Sequence, residues 1–230
     1  MTVTTPTGAA ALIPLLREQA PAIERGRRLT SEVVSALEES GVTTLSRPAR
    51  FGGAELGLTE QFDELTAVAR GDGSAGWVTS LYSVCGFFAG LFDDRAQEEV
   101  FANPVARVAG VFSPTGRLKP VDGGYRLTGR WQWNTGCHHA HWDTLAAMVE
   151  GAEGPPEPLI TLVSMDDLEI EDDWDPSGLA GTGSATVRCE DVFVPGYRTL
   201  STVAALQGRY ASEANRERPL FRDRCSTSDP

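Results

Sequence analysis

The chain has 230 residues, 41% of them hydrophobic and 23% charged, the balance of an ordinary soluble globular protein. Its 32 acidic against 20 basic side chains leave a formal net charge of −12, and Lys119 is its one lysine, so general binding to nucleic acid or to anionic membrane surfaces is disfavoured. No apolar run approaches the ~20 residues of a membrane span, and the N-terminus lacks the positive flank of a secretory signal. Cys85, Cys137, Cys189 and Cys225 form no CxxC pair, so reduced thiols in a cytoplasmic protein are expected.

The first hundred residues read as helices. Thr30 and Ser31 can cap a helix with Val33, Val34 and Leu37 on its apolar face and Gly41 at its end. After a Gly- and Pro-rich loop, Arg47 to Leu58, Thr59 is expected to cap a second helix whose face is Phe62, Leu65, Val68 and Ala69. Ser74 to Phe92 is apolar nearly all round, so it reads as a buried central helix, capped by Ser74 and interrupted by Gly76, Gly86 and Gly90. Asp93 to Ala102 gives one more helix, closed by Asn103–Pro104.

Beyond Pro104 the apolar period changes from 3.6 to 2. Val105–Phe112, Tyr125–Thr128, Trp131–Trp133, Asp143–Val149, Leu159–Ser164 and Ala185–Val194 are the expected strands, with turns at Gly123–Gly124 and Gly151–Pro158. Their spacing suits an antiparallel barrel or sandwich rather than βαβ units. Helical character returns near Ser201, and Arg222 to Pro230 carries no pattern. The expected organisation is α+β: a helical domain over 1–104, a small antiparallel β-barrel over 105–198, and a further helical start over 199–230.

Three segments could carry chemistry. In GRWQWNTGCHHAHWD, residues 129–143, Trp131 and Trp133 would share one face of a strand, and Asn134, Thr135 and Gly136 would add an amide, a hydroxyl and a bare backbone N–H. That combination suits a planar heterocycle, although two tryptophans on one strand can equally be core. His138, His139, His141 and Asp143 lack the spacing of HExxH or of a zinc knuckle, so no metal is expected. In the second segment, Ser113–Pro114 leaves a strand for a turn and could aim a hydroxyl at a ligand. The third, GLAGTGS at 178–184, reverses the order of a dinucleotide-binding glycine loop and does not lie between strand and helix. No GxSxG elbow supports a serine hydrolase.

FGG at 51–53, GDGSAGW at 71–77, AQEEV at 96–100, GGYRLTGRW at 123–131 and GLAGTGS before DVFVP together resemble the acyl-CoA dehydrogenase superfamily. They resemble more closely its flavin-dependent monooxygenase branch, which includes the oxygenase components of two-component aromatic hydroxylases and the aminosugar N-oxygenases. The likeness runs from about Glu18 to Leu200. It implies a flavin, FMN or FAD, at the junction of helical and β domains, with Trp133, Asn134 and Thr135 lining the ring, the Thr135 hydroxyl near N5, and Ser113 reaching its pyrimidine side.

The same resemblance implies reduced flavin delivered by a separate flavin reductase, oxygen chemistry on a small aromatic or amine substrate, and homo-oligomers built through a C-terminal helical bundle. That bundle, on the order of 100–200 residues, is absent from this sequence, and its absence is expected to bare apolar faces. Tyr82 and Cys85 occupy the stretch of the buried helix where relatives carry a substrate-touching His. Two other readings remain beside the oxygenase: an FAD-dependent acyl-CoA dehydrogenase, and a truncated non-catalytic chain that binds a partner.

Overall fold

The computed structural model describes residues 8–151 and 157–221. The expectations for Arg222 to Pro230, for Cys225 and for most of the Gly151–Pro158 turn lie outside the described residues.

Five helices precede the strands: α1 (Ile13–Gly26), α2 (Ser31–Glu39), α3 (Leu58–Gly71), α4 (Gly73–Ala89) and α5 (Asp94–Phe101). Thr30 caps α2, its hydroxyl accepting from the Val33 N–H. Two caps differ from expectation. Helix α3 starts after Gly57, which places Thr59 inside its first turn. Helix α4 is capped by Asp72, whose carboxylate accepts from the Ala75 N–H at 2.7 Å; an acid at this position also suits the positive end of the helix dipole. The glycines of α4 do not break it. At Gly76 a Cβ would stand 2.5 Å from that of Ala69, so the missing side chain lets α3 and α4 pack backbone to backbone. Among the described residues no helix is long and apolar enough to cross a membrane.

The link to the strands is tied down. Arg47, buried, donates from its guanidinium to the carbonyls of Pro104 and Ala106, the latter at 2.6 Å. Seven strands follow: β1 (Val108–Val121), β2 (Gly124–Trp131), β3 (Trp142–Val149), β4 (Pro158–Ser164), β5 (Glu169–Ile170), β6 (Val187–Pro195) and β7 (Thr199–Ser201). They form one sheet in the order β5-β6-β2-β1-β3-β4-β7.

The α+β architecture is as expected, but the sheet is mixed and its strand order is open. The β1–β3 pairing is parallel and the others are antiparallel. The cause is a crossover: β2 returns beside β1 and pairs outward with β6, so the chain must cross to the other edge of β1 before β3 can form. Residues 132–141 make that crossing. Strand β1 also runs on past Ser113–Pro114 where a turn was expected. It absorbs the proline in a bulge that sets Phe112–Thr115 opposite the single residue Ala146.

Three apolar clusters hold the molecule. One lies among α1–α4, a second lies within the sheet around Leu118, Leu127, Trp131 and Leu145, and a third joins α4 and α5 to β1, β4 and β7. Helical character returns near Ser201 as expected, but briefly: the segment after residue 198 first supplies the edge strand β7 and then, among the described residues, the short α6 (Thr202–Leu206). The chain next returns to the corner between α4 and α5, where Phe221 stacks on Phe87 with centroids 5.4 Å apart. There Asn215 donates to the Gly90 carbonyl at 2.8 Å and Ser212 to Asp94 at 2.7 Å.

Candidate functional site

The crossover between β2 and β3 divides the two tryptophans that were expected to share a face. Strand β2 ends at Trp131, which is fully buried and donates its indole N–H to the Ala146 carbonyl at 2.8 Å. Trp133 takes a left-handed conformation, φ 62°, and stands 73% exposed. That backbone turn rotates its side chain out of the strand alternation; a non-glycine residue held there must be fixed by its neighbours.

The neighbours are specific. Residue 134 is held by its N–H to the Ala185 carbonyl at 3.0 Å and by its amide, which donates to Asp143 at 2.5 Å. The Thr135 hydroxyl accepts from the Trp77 indole N–H at 3.1 Å and shares a hydrogen bond with Ser184 at 2.8 Å. Gly136 donates to the Thr182 carbonyl at 3.1 Å, and its own carbonyl accepts from the Tyr82 hydroxyl at 2.7 Å. Its φ of +75° and the phenol 2.7 Å from where a Cβ would sit both require glycine. The turn is thus gripped by α4, by β3 and by the loop 180–185.

Each expected site residue can now be placed. Trp133 projects outward, and Thr135 lies just beneath the surface with both hydroxyl partners on the protein side. Asn134 is turned inward and supports the turn rather than lining an opening. Ser113 is exposed on the β1 bulge. The antiparallel β1–β2 register, continued by the Thr115 hydroxyl donating to the Arg130 carbonyl, sets Ser113 level with the end of β2, just before Trp133.

Tyr82 and Cys85 are buried. The Tyr82 hydroxyl is spent on Gly136, and Cys85 lies against Gly110 and Thr144, so neither presents a surface to an open cleft. Burial lifts the Tyr82 phenol above its usual pKa and pushes the Cys85 thiol to about 12, which keeps both neutral.

Trp77, Thr182 and Ser184 were not singled out individually, although each lies within a motif already noted, GDGSAGW or GLAGTGS. That glycine loop packs against the Trp133 turn. Nor do the histidines converge. His141 accepts at Nδ1 from the Arg107 N–H, and burial and nearby Arg107 lower His139 to about 4. Among the described residues no three His, Cys, Asp or Glu side chains gather as metal ligands would.

Beside Trp77 lies an open hollow of about 330 Å³ walled by Phe62, Leu65, Ala69 and Leu179. The face expected to be the apolar side of α3 therefore divides. Val68 enters the core, while Phe62 remains 70% exposed at the rim. The hollow thus lies beside a turn that carries a second exposed indole, and apolar surface left open in this way is what a binding region presents.

No known family profile matches the chain. Individual relatives do. It is 38% identical to the pigment production hydroxylase of Rhodococcus sp. over 92% of this chain and 55% of that protein. It is 34% identical to the oxygenase component of the FADH2-dependent resorcinol hydroxylase of Rhizobium sp., over 92% of this chain and 54% of the other. The crystal structure of the HsaA monooxygenase from M. tuberculosis superposes with a TM-score of 0.88 at 37% identity, covering 93% of this chain and 59% of that one. The chain spans about half the length of the curated relatives it matches. It is a homologue of the oxygenase components of flavin-dependent monooxygenases, matching them over that half.

Proposed function

We propose that the chain binds reduced flavin, FMN or FAD, against the Trp133–Gly136 turn and serves as the oxygenase component of a two-component monooxygenase acting on a small aromatic substrate. An amine remains within reach of the same chemistry. The turn itself is the observation that carries this reading: an exposed indole and a nearly buried hydroxyl, two residues apart, on a backbone fixed from three sides. One of the relatives, the FADH2-dependent resorcinol hydroxylase, supports the same cofactor.

The residues fit a flat, polar-edged ring. The Trp133 indole offers an apolar face to stack on. The Thr135 oxygen accepts from Trp77; when Ser184 donates to it as well, its own proton is free for a ring nitrogen at the turn. Ser113 adds a second hydroxyl from the neighbouring strand. Bound reduced flavin supplies the electrons that activate oxygen. The protein's part is to hold the ring edge, to exclude water with Trp77, Phe62 and Leu179, and to place substrate beside it. The reductant comes from a separate flavin reductase, and assembly into homo-oligomers belongs to this proposal as well.

Anaerobic titration of the purified chain with reduced FMN and FADH2 tests the binding. Saturable binding that falls at least tenfold in Trp133→Ala and several-fold in Thr135→Val is expected. Binding that ignores both substitutions would overturn the site. Supplying a flavin reductase, NADH and a phenol then tests the chemistry through the hydroxylated product.

A further inference from the structure

Asp143 and Asn134 are both without accessible surface, and the Asn134 amide nitrogen donates to one carboxyl oxygen of Asp143 at 2.5 Å. The remaining oxygen of each group, Oδ1 of Asn134 and Oδ1 of Asp143, is buried with no hydrogen-bond partner. Two orphaned acceptors on the two halves of one bonded pair are an unusual defect, because buried polar atoms are nearly always satisfied. An ionised carboxylate cannot repair it, since it brings no proton, and a buried unpaired anion is costly.

A carboxylic acid can. An acid and a primary amide each present one donor and one acceptor on one edge. Amide N–H to carboxyl C=O, together with carboxyl O–H to amide C=O, closes a ring of two hydrogen bonds that satisfies both orphans with one proton.

We propose that Asp143 is kept as the neutral acid, closing this ring with Asn134, and that the ring is the positioning element that sets the 134–136 turn beneath Trp133 and Thr135. The positioning role rests on the flavin-binding reading above; the ring itself does not.

The surroundings agree. Tyr82 and Cys85 face the carboxyl from α4, Cys137 from the turn and Cys189 from β6, and burial keeps all four neutral. Among the described residues no cation is a cause of the shift at Asp143. Burial raises its carboxyl to about 7, against the downward pull of the Asn134 amide and the Thr144 backbone N–H.

The test follows the proton and the turn separately, in the full chain labelled with 13C at aspartate carboxyls and 15N at backbone amides. One carboxyl resonance is expected to hold its acid-form shift past pH 6, to titrate near pH 7, and to be missing from Asp143→Asn. The Thr135 and Gly136 amide resonances should move with the same midpoint in the wild type and stay still in Asp143→Asn, whose amide closes a similar ring at every pH. If every carboxyl titrates in the ordinary range, or the late resonance survives in Asp143→Asn, the neutral acid is overturned. A late-titrating carboxyl with motionless turn amides overturns the positioning role.

Flavin affinity measured at about pH 6 and pH 8.5 completes the test. It should weaken several-fold at the higher pH in the wild type and not in Asp143→Asn. Absence of flavin binding in both proteins at either pH would sink the flavin reading, while the resonances would still decide the ring.

Discussion

The β1–β2 hairpin and the crossover that follows it are adjacent in sequence and are held in opposite ways. From Arg117 to Val121 the hairpin is a regular antiparallel ladder, closed over the buried Trp131 and Leu127, and its shape is determined by backbone pairing and core volume. The crossover has little ladder. It is held instead by isolated bonds: side-chain bonds from α4, β3 and Ser184, and backbone bonds to the Thr182 and Ala185 carbonyls. Substitutions in the hairpin core should therefore act on the whole fold, whereas those in the crossover should act on a turn.

The sharpest contrast is between two indoles. Trp131→Ala removes a fully buried ring packed against Gly116 and Gly129 and should cost about 3–5 kcal/mol in urea unfolding. A loss below 1 kcal/mol would break the distinction at its strongest point. Next comes Asp143→Asn, through pH. The folded carboxyl sits near 7 against an unfolded value of about 3.9. The wild type therefore loses stability as pH rises between those values and none beyond, because only the unfolded chain ionises there. The variant lacks that loss, so its unfolding free energy, read from urea unfolding, should gain on the wild type from pH 4 to pH 7 by an amount of order 1–4 kcal/mol.

Tyr82→Phe comes third. It removes one of the two donors to the Gly136 carbonyl, which keeps the His139 N–H at 3.0 Å, and should cost about 1 kcal/mol. It should also loosen the turn's amide exchange while leaving that of β1 and β2 alone, and uniform loosening would mean that the turn and hairpin are one unit. The smallest stability effect belongs to Trp133→Ala, within about 0.5 kcal/mol because the ring is exposed. Its flavin affinity should nevertheless fall the most. Equal losses of stability in the two tryptophan variants would erase the comparison.

Local patterns made most of this fold legible. Period-3.6 stripes and Thr30 located α2, period-2 alternation located β3, β4 and β6, and Gly123–Gly124 located the hairpin turn. What was hidden depended on distance. The parallel β1–β3 pairing follows from where the crossover goes, which no local period records. The W-x-W spacing suggested one strand face, and only the left-handed backbone at Trp133 separates the pair.

Within the site, Thr135 was legible as a hydroxyl at a strand end, but its partners Trp77 and Ser184 lie 58 and 49 residues away. Asp143 was read beside three histidines as a metal ligand to be dismissed. Its true partner, Asn134, stood nine residues earlier in the same segment. A lone acid within the otherwise apolar stretch that follows Trp142 was the available signal.

Arg47 carries a consequence for motion. Its buried guanidinium spans the two carbonyls on either side of Val105, and even after burial lowers it to about 10 it stays cationic at neutral pH. The joint between the helices and the sheet is therefore cross-braced by a charged group that cannot be withdrawn without stranding it in a dry interior. Rigid-body swinging of one layer against the other has no free hinge at that joint. Any shape change at the open hollow beside Trp77 must instead come from local give in its own rim, at Leu179 and Phe62.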